Sequence, residues 1–343
     1  MSPLTCRAQP TRGLALLTIT TAAALALTAC ASGSGTDSPT RPPAAASRTS
    51  PAPKGAVTPQ DAAKIVDNYV KINNRSNATR NEKLLATVEA GQVNVQSRAD
   101  YIQWKTWPKK DQKKYGAPFD FVNRSYYIPP ATTASWFAVT ATATTFKSKS
   151  LLFFDKVDGT YKLVMAFYAN PGEEPIPKIA LDRNGLATAV DPAQRTGAFA
   201  PAQLSSAYED LFETGGARQG KQLTPTNVTR TAVKIYQKSK KGTAGGKATK
   251  KFFAQHPDHT KVYALRTADG GVLTAFPTAH TQESLIKPRY RSSYDLIPNK
   301  IQSLYSATRG PVITDDFQGQ ALAELTPKSS RVISIEWHLV DAR

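Results

Sequence analysis

Apolar residues first fall into a helical rhythm at Ala62, Ile65, Val66, Tyr69 and Val70, one stripe of a 3.6-residue period. Thr58 precedes the stripe as an N-cap, Pro59 takes the first helical position, and Asp61 the acidic place of a capping box. A second helix is read over Glu82–Ala90, with Leu84, Leu85 and Val88 inward and Gly91 as its stop. After Pro118 the texture changes. Segments 119–128, 134–145 and 151–156 are rich in aromatic and β-branched residues, the composition of strands. Asp158-Gly159 then turns the chain into 161–168, a hairpin signature.

The cycle restarts near Pro201. Leu204, Ala207, Tyr208, Leu211 and Phe212 repeat the helical spacing, and Gly215-Gly216 ends the run. Strands return at 262–267 and 272–276, joined through Asp269-Gly270-Gly271, then at 311–325, with a break expected at Gly319, and at 331–340. Helices followed by hairpin-linked strands, twice over, predict an α+β protein of two tandem domains, 58–175 and 201–343, with 176–200 between them. In each, N-terminal helices pack on a curved antiparallel sheet. The order resembles the cone-shaped fold of nuclear transport factor 2, or the cystatin fold, a likeness without functional weight of its own. The repeat is imperfect. From helix start to Asp-Gly turn is 99 residues in the first half and 68 in the second.

The chain's opening has another layout. Arg7 and Arg12 are followed by an apolar run from Leu14 to Leu27, then Thr28-Ala29-Cys30. Residues 1–29 read as a signal peptide, set aside from the fold. The run of 14 residues is shorter than the ~20 needed to span a bilayer. Leu27-Thr28-Ala29-Cys30 resembles the lipobox of bacterial lipoproteins, which implies a diacylglyceryl group on the Cys30 thiol and cleavage before it. Two acyl chains suffice for stable anchoring where one does not. The expected location is the outer face of a bacterial cell membrane.

Residues 31–57 are Ala, Pro, Ser, Thr or Gly at all but five positions. Such a segment buries too little apolar surface to offset its ordering entropy, so 30–57 is read as the lipidated cysteine and a disordered tether. Further on, 176–182 (IPKIALD), 184–190 (NGLATAV) and 262–271 (VYALRTADGG) resemble segments of uncharacterised secreted lipoproteins of actinobacteria. That resemblance implies location and architecture and brings no catalytic residues with it.

Charge and cysteine count narrow the chemistry. Cys6 leaves with the signal, so Cys30 is the sole thiol of the mature chain, which excludes disulfides, a thiol catalyst and a cysteine-based zinc site. Loss of Arg7 and Arg12 lowers the formal charge from +18 to +16. A basic surface attracts polyanions. Outside a bacterium these are lipid headgroups and phosphate-rich wall polymers rather than nucleic acid.

Two lysine clusters are candidate anion-binding surfaces. The first, Lys105, Lys109, Lys110, Lys113 and Lys114, is interleaved with Tyr101, Trp104, Trp107 and Tyr115. Its aromatics suit either stacking on a ligand or a core with the lysines as its rim, and the core reading is preferred. The second cluster, Lys234, Lys238, Lys240, Lys241, Lys247, Lys250 and Lys251 around three glycines, reads as a mobile soluble loop. Lys238, Lys240 and Lys241 are its candidate ligand contacts.

Other constellations fail their own chemistry. Residues 242–247 lack the first glycine and final Ser/Thr of a phosphate loop, and Ser284-x-x-Lys287 lacks the partner motifs of penicillin-binding enzymes. His256 and His259 are three apart across Pro257, which suits a surface turn better than a metal-binding helix. Glu173-Glu174 and Asp315-Asp316 are chain neighbours that need not converge. No cofactor or metal is expected, and the identity of any protein partner is left open. The expectation is a non-catalytic binding module for an anionic envelope component, small ligand or protein; the alternative is an enzyme with a pocket in one cone-like domain.

Overall fold

Thr58 does set the first helix. In a computed structural model of the chain, which describes residues 54–145, 147–169 and 174–343, the Thr58 hydroxyl accepts from the Asp61 N–H at 3.1 Å. Helix α1 then runs Pro59–Thr79, with Ala62, Val66, Tyr69 and Val70 buried and the stripe continued by Asn73 and Ser76. Cys30, the signal segment and most of the tether lie outside the described residues.

Two helices differ from expectation. Helix α2 spans only Glu82–Leu85, and Gly91 begins α3 (Gly91–Gln103) instead of ending its predecessor. The sequence conceals α3 because Gln92, Gln96 and Gln103 form much of its buried side. Helix α4 is Lys109–Tyr115. Four strands follow as a meander, β1 (Phe121–Tyr127), β2 (Trp136–Ala143), β3 (Lys149–Val157) and β4 (Thr160–Ala169), antiparallel in the order β1-β2-β3-β4. Asp158 and Gly159 both take positive φ, 50° and 79°, as a two-residue hairpin turn requires.

In the second half α5 is Leu204–Glu213 and α6 is Asn227–Ser239, capped by Thr226. The five strands are β5 (Ala248–Ala254), β6 (Tyr263–Arg266), β7 (Val272–Ile286), β8 (Val312–Leu325) and β9 (Ser330–Ala342). They form an antiparallel sheet ordered β5-β7-β8-β9, and β6 also pairs β7, beyond the reach of β5. The expected break at Gly319 is absent, because pairing with β7 and β9 runs through it. A Cβ there would lie 2.4 Å from the Thr278 hydroxyl and 3.1 Å from Trp337, so glycine serves close packing rather than a turn.

The protein is thus α+β with two antiparallel sheets. Phe137, Val139, Leu152 and Phe154 on one face of the first sheet pack under Ala62, Val66 and Tyr69 of α1. Their neighbours Trp136, Ala138, Leu151 and Phe153 point the other way. They meet Tyr263, Leu265, Leu273 and Ala275 of the second sheet in a shared core. Burial on both faces explains why β2 and β3 read as nearly continuous apolar runs. A third cluster sits between α5 and the second sheet, around Tyr208, Phe212 and Phe276. Each such side chain contributes about 1.5–3 kcal/mol on burial.

Polar bonds reinforce the join. From α3, the Gln92, Gln96 and Gln103 side-chain amides donate to the backbone carbonyls of Gly319 (2.7 Å), Glu336 (3.0 Å) and Leu339 (2.7 Å). Ala166 N–H on β4 donates to the Gln320 side-chain Oε1 at 3.0 Å. The segment after residue 174 lies along β6, where Ile179 and Ala189 bridge Thr267 and Leu265. Among the described residues no helix is long and apolar enough to cross a membrane.

Candidate anion-binding groove

The first lysine cluster is a solvated rim beside a patch of rings of which Tyr101 is buried and Trp104, Trp107 and Tyr115 are half-buried. Lys109, Lys110, Lys113 and Lys114 lie exposed on α4, and Lys105 is exposed just before it. Tyr115 makes edge contacts with Tyr101 and Trp107, at centroid distances of 6.2 and 5.2 Å. Trp104 is covered by the Arg80 guanidinium, 3.9 Å above its ring. These rings are occupied by one another and by Arg80.

The second cluster is a loop only in part: Lys240, Lys241 and Lys247 lie in the turn between a helix and a strand. Lys234 and Lys238 lie on α6, and Lys250 and Lys251 on β5. The glycines between them turn the helix tightly back into the strand, where Thr243 and Ala248 exchange backbone bonds at 3.0 and 3.2 Å. Local sequence hid β5, which reads Ala-Thr-Lys-Lys-Phe-Phe-Ala without simple alternation; α6 carried a readable signal in Thr226 and in the spacing of Val228, Ala232, Ile235 and Tyr236, overlooked beneath its lysines.

Between them lies a groove of about 440 Å³, lined by Phe212, Tyr236, Lys240, Lys250, Lys251 and Phe253 among others. Lys240 is the one expected candidate that lines it; Lys238 and Lys241 are exposed nearby in sequence, outside the lining. Sequence reasoning placed Lys250 and Lys251 in the cluster without singling them out, and missed Arg218. The signal was present in the adjacency of Lys250-Lys251 to Phe252-Phe253, which as a strand sends a cation and a ring to each face.

Each groove cation is differently held. The Lys240 ammonium rests 4.7 Å above the Tyr236 ring. Tyr236 itself packs against Gly215, whose φ is +77° and whose absent Cβ would fall 2.6 Å from the ring. Burial pulls the Lys250 ammonium below its ordinary pKa, against the attraction of Asp315. Asp315 is raised by its own burial, while Gln302, Lys250 and Gln282 oppose the rise. Arg218 is committed to Asp210 at 3.1 Å and to Glu213. Burial works against ionisation of Asp210, but the Thr214 hydroxyl and the N–H groups of Gly220 and Arg218 outweigh it and hold its pKa low. Lys240, Lys250 and Lys251 therefore give the groove its positive surplus.

Three other polar clusters are built into the fold. Asp155 accepts from Tyr263 (2.9 Å), Lys261 (2.6 Å) and Ser135 (2.9 Å), and His259 lies 3.1 Å from the same Tyr263 hydroxyl. The segment holding His256 and His259 is non-helical with His256 exposed, as expected of a surface turn, but His259 is half-buried against Gly91. Glu209 meets His280 Nδ1 at 3.0 Å, and Phe212, Phe252, Phe317 and Trp337 surround that imidazole. Glu89, fully buried, accepts from Tyr69 (3.1 Å) and Asn73 (3.0 Å). Asp315 and Asp316 diverge as strand alternation requires, toward Gln282 and Thr281 respectively. Among the described residues no three His, Cys, Asp or Glu side chains are grouped to hold a metal ion.

Over 250 residues the chain is 33% identical to an uncharacterised lipoprotein of Streptomyces coelicolor, covering 71% of this chain and 70% of that protein. No solved structure matches it. A family model matches residues 53–343, and the chain belongs to that family, described as a domain of unknown function (DUF8094).

Proposed function

We propose that this protein is an extracytoplasmic lipoprotein, anchored by acylated Cys30 on the outer face of the cell membrane after removal of residues 1–29. Its folded part is a non-catalytic binding module for an anionic envelope component. The lipobox-like Leu27-Thr28-Ala29-Cys30 and the lipoprotein relative support the anchor. Residues 31–57 then act as the tether. The reading treats 58–175 and 201–343 as two domains, each a cone of helices on a curved sheet in the manner of nuclear transport factor 2 or the cystatins, joined by 176–200.

One observation carries the ligand class: Lys240, Lys250 and Lys251 all line a groove whose walls include Tyr236 and Phe253. Rings beside cations suit an anion with an apolar or planar portion. The buried Glu209–His280 and Tyr69–Glu89 pairs are enclosed by packed side chains, which supports binding over catalysis. Co-sedimentation with phosphatidylglycerol vesicles and with purified cell wall, across a salt series, tests the reading. Binding at low salt that falls as salt rises is expected. Binding that ignores salt, or none at low salt, removes it.

A further inference from the structure

The groove has a backbone side as well as a cationic one. Strand β5 pairs with β7 along one edge only, and its register fixes which groups face away. Lys247 C=O accepts from Lys287 N–H and Gln255 N–H donates to Ala279 C=O, each at 2.9 Å. Odd-numbered residues from 247 to 255 therefore bond toward β7, and even-numbered ones present their N–H and C=O outward. Both ends of that outward edge are already closed. Ala248 is bonded to Thr243, and Ala254 N–H donates to the Glu213 carboxylate at 2.9 Å. Lys250 and Phe252, between the two stops, have backbone groups that face away from β7, and both residues line the groove.

The geometry points to an extended acidic peptide that docks as an added strand on β5, pairing with the backbone of Lys250 and Phe252 and placing carboxylates against Lys240, Lys250 and Lys251. Strand addition draws affinity from main-chain bonds and specificity from the side chains on either face. Here both faces carry a cation. Lys250 shares the helix-side face with Phe252, which packs on Phe212, and Lys251 shares the opposite face with exposed Phe253. A polyanion without amides satisfies the lysines and leaves the backbone groups unused, so the observed pairing of features favours a protein segment. The inference rests on the groove being the anion site proposed above.

The test uses the full-length chain and three probes: a capped heptapeptide Glu-Glu-Val-Val-Glu-Glu-Val, which as a strand carries Glu and Val on both faces, the same peptide N-methylated at alternate amides, and inorganic polyphosphate. The expected result is binding of the plain peptide, with amide exchange in segment 248–254 slowed about tenfold or more. The N-methylated peptide should bind weakly and protect nothing there. Lys250→Pro, which deletes an outward N–H without touching the β7 ladder, should abolish protection, whereas Lys250→Met should only weaken it. Equal binding of both peptides, or polyphosphate binding without peptide binding, overturns strand addition and leaves the anion groove standing. If no probe binds, the groove reading falls as well.

Discussion

The Tyr263 hydroxyl on β6 donates to the Asp155 carboxylate on β3 at 2.9 Å, so the two sheets are bonded to each other inside their common core. Burial and the Asp155 charge raise the Tyr263 pKa, which keeps the phenol a donor at any pH the cell meets. Tyr263→Phe is expected to cost about 1–3 kcal/mol, since it strands a buried carboxylate oxygen with Lys261 as its remaining partner. Urea unfolding of residues 53–343 measures it, and an unchanged midpoint contradicts the assignment.

Glu89 makes stability depend on pH. Burial raises its pKa from the ordinary 4.5 to about 8, against the hydrogen bonds from Ser97, Tyr69 and Asn73. The fold therefore favours the neutral acid. Its stabilising contribution is complete below about 4.5 and is lost as pH climbs through about 8. Glu89→Gln, which keeps the carbonyl acceptor without the charge, should flatten the fall in melting temperature between pH 5 and pH 8. An identical slope in the variant would exclude Glu89 as its source.

Groove cations and rim cations should separate in binding. Lys240→Ala and Lys251→Ala are each expected to weaken association with anionic vesicles or wall about fivefold at low salt. Lys110→Ala and Lys113→Ala, on α4, should have the smaller effect. Equal losses from both pairs would make attraction a property of net charge alone.

Gly215→Ala should destabilise the fold by about 1–2 kcal/mol, through both its left-handed backbone and collision with Tyr236. Since Tyr236 is the ring beneath Lys240, loss of ligand affinity should accompany the fall in stability. A variant as stable and as tightly binding as the parent would show that this contact does not shape the groove.

Cys30→Ser should leave the protein unprocessed or release it into the medium. Mass spectrometry of the native N-terminus reads the same point directly. An intact Met1 without acyl groups would end the lipoprotein assignment.

Legibility in the sequence followed the kind of surface each element buries. Helices α1 and α5 bury apolar stripes whose period was readable, and the β2–β4 meander was readable from its apolar, aromatic and β-branched runs and its Asp158-Gly159 turn. Helix α3 buries Gln92, Gln96 and Gln103, whose partners are carbonyls more than 180 residues away, and no local rule anticipates them. Gly91 looked like a terminator because glycine ends many helices; here its positive φ lets the chain enter α3 against the His259 ring. The groove was half legible. Its lysines stood out by composition, but their meeting along one groove depends on a helix-to-strand return that local sequence presents as a mobile loop.

The glutamine contacts of α3 have a mechanical consequence. The chain enters the fold on the α1 side, whereas the groove belongs to α5, α6 and β5. Under the proposed lipid anchor and groove ligand, a pull between the two would cross from one sheet to the other. No covalent cross-link is available to carry it, since no cysteine follows Cys30. The load falls on the shared aromatic core and on a row of amide-to-carbonyl bonds oriented across the seam, which must be sheared together before the halves part.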